Sequence, residues 1–104
     1  MHGSSSVPAD LIDRINGAGG TLAPAFGVPV TEIQQGIRHG VRKVNVDTDG
    51  RLAMTAYARE ALRDAPEDFD PRRFLKASRA GMRDVVAERM RQFGQAGHAG
   101  DYEP

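Results

Sequence analysis

The chain contains no cysteine and no tryptophan. Without thiols it can build neither a disulfide framework nor a thiolate metal site, which agrees with a reducing compartment, so a cytoplasmic location is expected. An excess of one charge is also missing. Fourteen basic residues face 14 acidic ones, for a formal net charge of zero, so no overall field favours nucleic acid or an anionic membrane. No apolar run approaches the roughly 20 residues that cross a bilayer, and the first residues lack the basic-then-apolar order of a secretory signal. Bulky apolar material is scarce too: aromatics make up 6% of the chain, and many of the 39% hydrophobic residues are alanine. With 104 residues there is room for one domain at most, and this composition points to a piece that needs neighbours to complete its core.

What is present is a succession of short periodic stretches. PADLIDRINGAGG places Leu11, Ile12 and Ile15 on one helical face, with Ser6 or Val7 as the cap and Gly17 as the stop. GGTLAPAFGVPV is rich in glycine and proline and predicts a loop. In TEIQQGIRHG, Thr31 and Gln34 stand at capping-box spacing, Ile33 and Ile37 face one way, and Gly40 ends the helix. VRKVNV, with Val41, Val44 and Val46, predicts a strand over about residues 41–46, closed by a DTDG turn. RLAMTAYAREALRDAP predicts a third helix, its apolar positions Leu52, Ala53, Ala56, Tyr57 and Leu62, ended by Pro66. Asp70 and Pro71 pair a carboxylate N-cap with a proline at the first helical position. They open a last helix to about Phe93, with Phe74, Leu75, Met82, Val85, Val86 and Met90 inward and Gly94 beyond its end. The remainder, GQAGHAGDYEP, reads as a loose tail. The fold class is therefore α/β, mostly helical with one clear strand. One strand cannot satisfy its own ladder, so its partners are expected from outside the chain.

Two stretches look chemical. In His2-Gly3-Ser4-Ser5-Ser6 a glycine lets backbone approach a ligand, serines add hydroxyl donors, and a helix beginning just after would aim N–H groups at an anion. The plainer alternative is a flexible Gly/Ser terminus. In Asn45-Val46-Asp47-Thr48-Asp49, a strand gives way to a helix, the edge where ligands gather in α/β folds. Asn45 and Asp47 alternate with Val46 and so point to one side. An ordinary turn with an N-cap explains the same residues equally well.

Together, and with the segments between them, these stretches resemble a known family. MHGSSSVP, GVPVTEIQQGIRHGVRKVNVDTD, RLAMT, FDPRRFLKASRAGM and the FGQAG tail occur in the order and spacing of class II fructose-1,6-bisphosphate aldolases, close to the Calvin-cycle subtype. The resemblance implies the C-terminal portion of a (β/α)8 TIM barrel. Residues 1–94 would hold the end of the seventh strand, the eighth strand, the following helices and a C-terminal extension, and residues 95–104 a flexible tail. Such barrels take about 250 residues, so the resemblance covers only about the last third, and Met1 is expected to be an internal methionine.

The activity implied is the reversible, zinc-dependent aldol cleavage of fructose 1,6-bisphosphate to dihydroxyacetone phosphate and glyceraldehyde 3-phosphate, as in glycolysis, gluconeogenesis and the Calvin cycle. On matching residues, His2 resembles the last histidine ligand of Zn2+. Gly3, Ser4 and Ser5 resemble the loop that binds one phosphate through backbone N–H groups and a hydroxyl, with a monovalent cation (Na+ or K+) close by. Asn45 resembles the asparagine that holds the dihydroxyacetone-phosphate part near the metal, and Val46, Asp47 and Thr48 the other half of the phosphate rim. Arg72, in the DPR motif, resembles an arginine that reaches a neighbouring subunit's site and binds the distal phosphate. The implied partners are a sugar bisphosphate or triose phosphate and further copies of the chain in a dimer or tetramer, with no nucleic acid and no membrane. The other zinc ligands and the acid and base carboxylates lie upstream in the family, so these residues alone are expected to be inactive. Gly50 departs from the bulkier residue expected after DTD and is expected to loosen the following helix by up to about 1 kcal/mol.

A rival reading starts from the last helix, where Arg72, Arg73, Lys76, Arg79, Arg83, Arg89 and Arg91 face only Asp84 and Glu88. Residues 72, 76, 79 and 83 share a face, as in a small helical module that binds nucleic acid or an acidic partner. No aromatic residue interleaves with that row, and a solvated face with one phosphate-binding arginine is the simpler account.

Overall fold

The carboxylate of Asp70 accepts the backbone N–H of Arg72 at 3.0 Å, and Pro71 supplies the first helical residue. This local chemistry starts the longest helix where the sequence predicts it. In the computed structural model, which describes residues 1–102, the order is α1 (Ala9–Gly17), α2 (Val30–Arg38), α3 (Thr48–Asp64), α4 (Pro71–Gln92) and a 3-10 turn at Ala99–Tyr102. Gly94, at φ 81°, closes α4: Gln95 N–H reaches Met90 O at 2.9 Å and Gly94 N–H reaches Arg91 O at 3.3 Å, a Schellman closure that a left-handed residue makes possible. Within the tail expected to be loose over 95–104, residues 99–102 take the 3-10 turn. The final two positions of that expectation lie outside the described residues.

Three expectations at the helix starts are corrected. The caps of α1 and α2 are Pro8 and Pro29, with no side-chain cap bond at either; proline fixes φ near the helical value and brings no N–H of its own to satisfy. Neither Ser6 nor Val7 caps α1. Thr31 lies inside α2, and Gln34 makes no capping box, since its Nε2 donates to Gln92 O at 3.0 Å and ties α2 to the end of α4. DTDG is no separate turn, because α3 begins at Thr48 and runs through Gly50.

The predicted strand is also corrected. Residues 41–47 form no regular element, and no strand forms among the described residues. The Met1 ammonium donates to Lys43 O at 2.6 Å, and Asn45 N–H donates to Met1 O at 3.0 Å. These two bonds flank Val44 as in one rung of a parallel ladder. A single facing residue offers one rung, and one rung is not a strand.

Leu11 and Ile15 of α1 pack on Ala53 and Ala56 of α3, bordered by Leu52, Tyr57 and Val85. Along the α3–α4 seam small residues do the packing: Ser78 and Gly81 are buried. The bulky residues assigned inward on α4 are not enclosed; Leu75 is 53% exposed and Met90 45%. Among the described residues nothing encloses them. The fold is a plate of 49 × 37 × 16 Å with 7404 Å² of accessible surface, against about 5,700 Å² for a compact monomer of this mass. No helix among the described residues is long and apolar enough to cross a membrane.

Arg14 joins α1 to α3, its Nε and Nη2 donating to Glu60 at 2.7 and 2.8 Å while the guanidinium lies 4.6 Å from the Tyr57 ring centroid. The hydrogen bond from Arg14 holds the Glu60 carboxyl below the usual carboxylate range. A lowered folded pKa gives stability that is complete above the unfolded value of about 4.3 and is lost as pH falls through the folded one. Glu60→Gln is expected to cost about 1 kcal/mol or less at pH 7, with the gap to the parent closing below pH 4. Urea unfolding at both pH values checks this; an equal gap at both would assign the effect to packing rather than charge.

Candidate functional site

The residues singled out at the start of the chain and at 45–48 meet. Ser4 is 1% exposed, and its Oγ lies 2.5 Å from Asn45 O and 3.2 Å from Met1 O. Its single proton ties the two segments together, which leaves the hydroxyl no role toward a ligand. Ser5 works the other way. Its Oγ accepts the N–H groups of Asp47 and Thr48, both at 3.1 Å, so it caps α3 from another segment while its own O–H remains to donate. Asp47 makes no cap bond and instead pairs with Arg51 at 3.0 Å on the surface, as Thr48 opens the helix.

The Asn45 amide Nδ2 lies 2.6 Å from His2 Nδ1, and Lys43 Nζ donates to Asn45 Oδ1. With the lysine on the oxygen, the amide nitrogen faces the ring. Nδ1 is then the acceptor, and the neutral ring carries its proton on Nε2. Gly3 has φ 62° and open space where a Cβ would stand, so backbone there is approachable from outside. Val46 turns the opposite way: with Val44 it lines an apolar cavity of about 200 Å³ against Met82, Val86 and Met90.

Arg72 is not brought to this cluster. Its side chain is 91% exposed and its hydrogen bonds all go to Asp70, the shortest from Nη2 to Oδ2 at 2.8 Å. The pair holds Asp70 below the usual carboxylate range and raises Arg72. The basic row of the last helix is thinned by such pairs, with Arg73 on Asp68, Arg89 on Asp49 and Arg91 on Glu88.

Three residues to which the sequence reading gave no site role support the loop. A Cβ on Gly27 would overlap Ser5 O and Ser6, and Val28 N–H donates to Ser5 O at 3.0 Å. Asp49 is fully buried and accepts N–H groups from Ser6 at 3.1 Å and Val7 at 2.7 Å. Arg89 reaches Asp49 Oδ2 from α4 at 3.2 Å. Asp49 stood at the end of the Asn45–Asp49 stretch with no role of its own, and Arg89 was one of seven basic residues. Gly50 lies within α3, and a Cβ there would stand 2.6 Å from Met82 Sδ, so its absence lets α4 approach.

A family model described as fructose-bisphosphate aldolase class-II matches residues 1–98. The chain belongs to that family. Proteins named fructose-bisphosphate aldolase from Nostoc commune and Giardia intestinalis are 62% identical over 99 residues and 48% over 103. One from Synechocystis, named fructose-bisphosphate aldolase class 2, is 59% identical over 99. The matches cover 95%, 99% and 95% of this chain respectively but 28%, 32% and 28% of those proteins. The chain thus spans less than a third of the length of these curated relatives. Its mostly helical plate is consistent with a piece of a barrel.

A class-II aldolase site is associated with zinc. Among the described residues no group of three or more His, Cys, Asp or Glu could hold a metal ion. His2 offers one donor where a zinc site takes at least three from protein, so these residues would fit the metal only as one part of a site completed by other ligands.

Proposed function

We propose that this chain is the phosphate-binding end of a class II aldolase that cleaves fructose 1,6-bisphosphate reversibly to dihydroxyacetone phosphate and glyceraldehyde 3-phosphate. The reading rests above all on the convergence of His2, Gly3–Ser5 and Asn45–Thr48, which hydrogen bonds across more than 40 residues draw into one cluster. Zn2+ supplies polarisation of the substrate carbonyl when bound; a monovalent cation belongs to the same proposal. His2 would donate one ligand. The N–H groups of Gly3, Ser4 and Ser5 and the free Ser5 O–H would hold one phosphate, and fixed donors of this kind place substrate before charge develops. Asn45, beside His2, would hold the triose phosphate part, with Asp47, Thr48 and the backbone of Val46 as the rim. Arg72, exposed and away from this cluster, would serve the site of a neighbouring copy in a homo-oligomer. Residues 1–94 would form the barrel portion, and 95–104 the tail.

No acid or base for the carbon–carbon step is assigned in these residues, so the chain alone is expected to be inactive. The test grafts this chain in place of the matching segment of the full-length Nostoc commune protein and assays zinc-dependent cleavage. The graft is expected to be active and the chain alone not. A soluble, folded graft without activity would count against the proposal.

A further inference from the structure

A carboxylate that is fully enclosed and serves backbone rather than substrate sits directly behind the loop. Asp49 Oδ1 takes Val7 N–H at 2.7 Å, Oδ2 takes Ser6 N–H at 3.1 Å, and Arg89 Nε completes Oδ2 at 3.2 Å with a side chain only 12% exposed. Val7 stands at φ 52°, a left-handed conformation that a β-branched residue rarely adopts unless something holds it. The Asp49 bond is made by that residue's own N–H. The Ser6 hydroxyl does not help, since its Oγ is buried without a partner, so the turn is held through its backbone.

We infer that Asp49 and Arg89 are positioning residues for the phosphate loop, one fixing the turn at Ser6–Val7 and the other balancing the charge that does so. This rests on the reading of residues 3–5 as a phosphate loop. Two consequences follow from the geometry. Asp49 occupies the N–H groups of Ser6 and Val7, so the loop donors left for an anion are those of Gly3, Ser4 and Ser5. A buried negative charge behind a loop that takes a phosphate dianion would also oppose binding, and Arg89 offsets it from α4. The last helix is in this way coupled to substrate affinity although it lies behind the loop.

The experiment compares variants in the active graft, measuring kcat and KM for fructose 1,6-bisphosphate, bound zinc and thermal midpoint. Asp49→Asn keeps the shape but loses the charge and one acceptor. Removing the charge alone would favour the anion, but the loosened Ser6–Val7 turn is expected to dominate and raise KM about tenfold or more, as loss of a hydrogen bond to a charged group does, with zinc content unchanged and kcat less affected than KM. Arg89→Met should raise KM in the same direction, and Arg89→Lys should restore much of it. A native KM in a folded Asp49→Asn graft, even one that melts lower, overturns the inference and leaves a structural pair. Where Asp49→Asn does not fold, a native KM in Arg89→Met overturns it instead. Gly3→Ala separates the inference from the reading beneath it. If Gly3→Ala raises KM and Asp49→Asn does not, only the positioning role fails; if neither does, the loop is not the phosphate site.

Discussion

His2→Ala in the active graft is expected to lower kcat/KM by about three orders of magnitude and to leave little bound zinc. The magnitude follows from several kcal/mol of Lewis-acid stabilisation, at about 1.4 kcal/mol per tenfold in rate. The structure adds a sharper point about Asn45. In the neutral His2 ring the one lone pair is on Nδ1, and the Asn45 amide uses it at 2.6 Å. A metal held on Nδ1 would take the place of that amide, and one held on Nε2 would leave the ring proton on Nδ1, to which Asn45 would turn its oxygen. In both cases the amide N–H group would be released and could donate to a substrate oxygen. Asn45→Ala should therefore spare most of the bound zinc while costing about ten- to a hundredfold in kcat/KM, as the loss of one hydrogen bond to a charged substrate group does. Metal analysis beside steady-state kinetics decides. Zinc retained with full activity in His2→Ala would remove His2 from the metal site, and zinc lost in Asn45→Ala would make Asn45 a support for the ligand rather than a substrate group.

Local chemistry was legible and distant partners were not. The start of α4 could be read from Asp70 and Pro71, and its end from Gly94, because each acts within a few residues of its own position. The sequence reading places the entry of α1 at Ser6 or Val7 and that of α2 at Thr31, where Pro8 and Pro29 set it without a side-chain cap. The strand at 41–46 has the right valines, yet Met1 is all that faces it. The apolar pattern of α4 marks which residues want burial without saying whether anything covers them, and Leu75 and Met90 remain open. The site divides in the same way. His2, Gly3, Ser4, Ser5, Asn45, Asp47 and Thr48 carry motifs and are drawn together. Arg72 carries one and stands apart, held by Asp70. Gly27 and Asp49 lie in quoted motifs and Arg89 in the basic row, yet none showed its role there, because Gly27 and Asp49 act on backbone about 20 to 40 residues away and Arg89 on the Asp49 carboxylate, which no local spacing encodes.

Gly81→Ala is expected to be strongly destabilising, costing about 3 kcal/mol, the upper end for overpacking. A Cβ at this position would lie 2.6 and 2.7 Å from the Tyr57 ring and 2.9 Å from Ala53 O. The Arg14 guanidinium lies over the ring, and the carbonyl belongs to the α3 backbone, so neither swings aside freely and the helices must separate. Gly50→Ala should cost less, about 1 kcal/mol, because its obstacle is the flexible end of Met82. Gly17→Ala is the control: it meets nothing within 4 Å and should be neutral or slightly stabilising, as glycine in a helix is the poorer residue. Urea midpoints of the three grafts test the order, and a Gly81→Ala midpoint equal to that of Gly17→Ala would refute the close crossing. The same separation would carry Arg89 away from Asp49, since both helices contribute one member of that pair. Gly81→Ala should therefore raise KM as well as lower stability, whereas a substitution that weakens only the α1 contact, such as Glu60→Gln, should leave KM where it was.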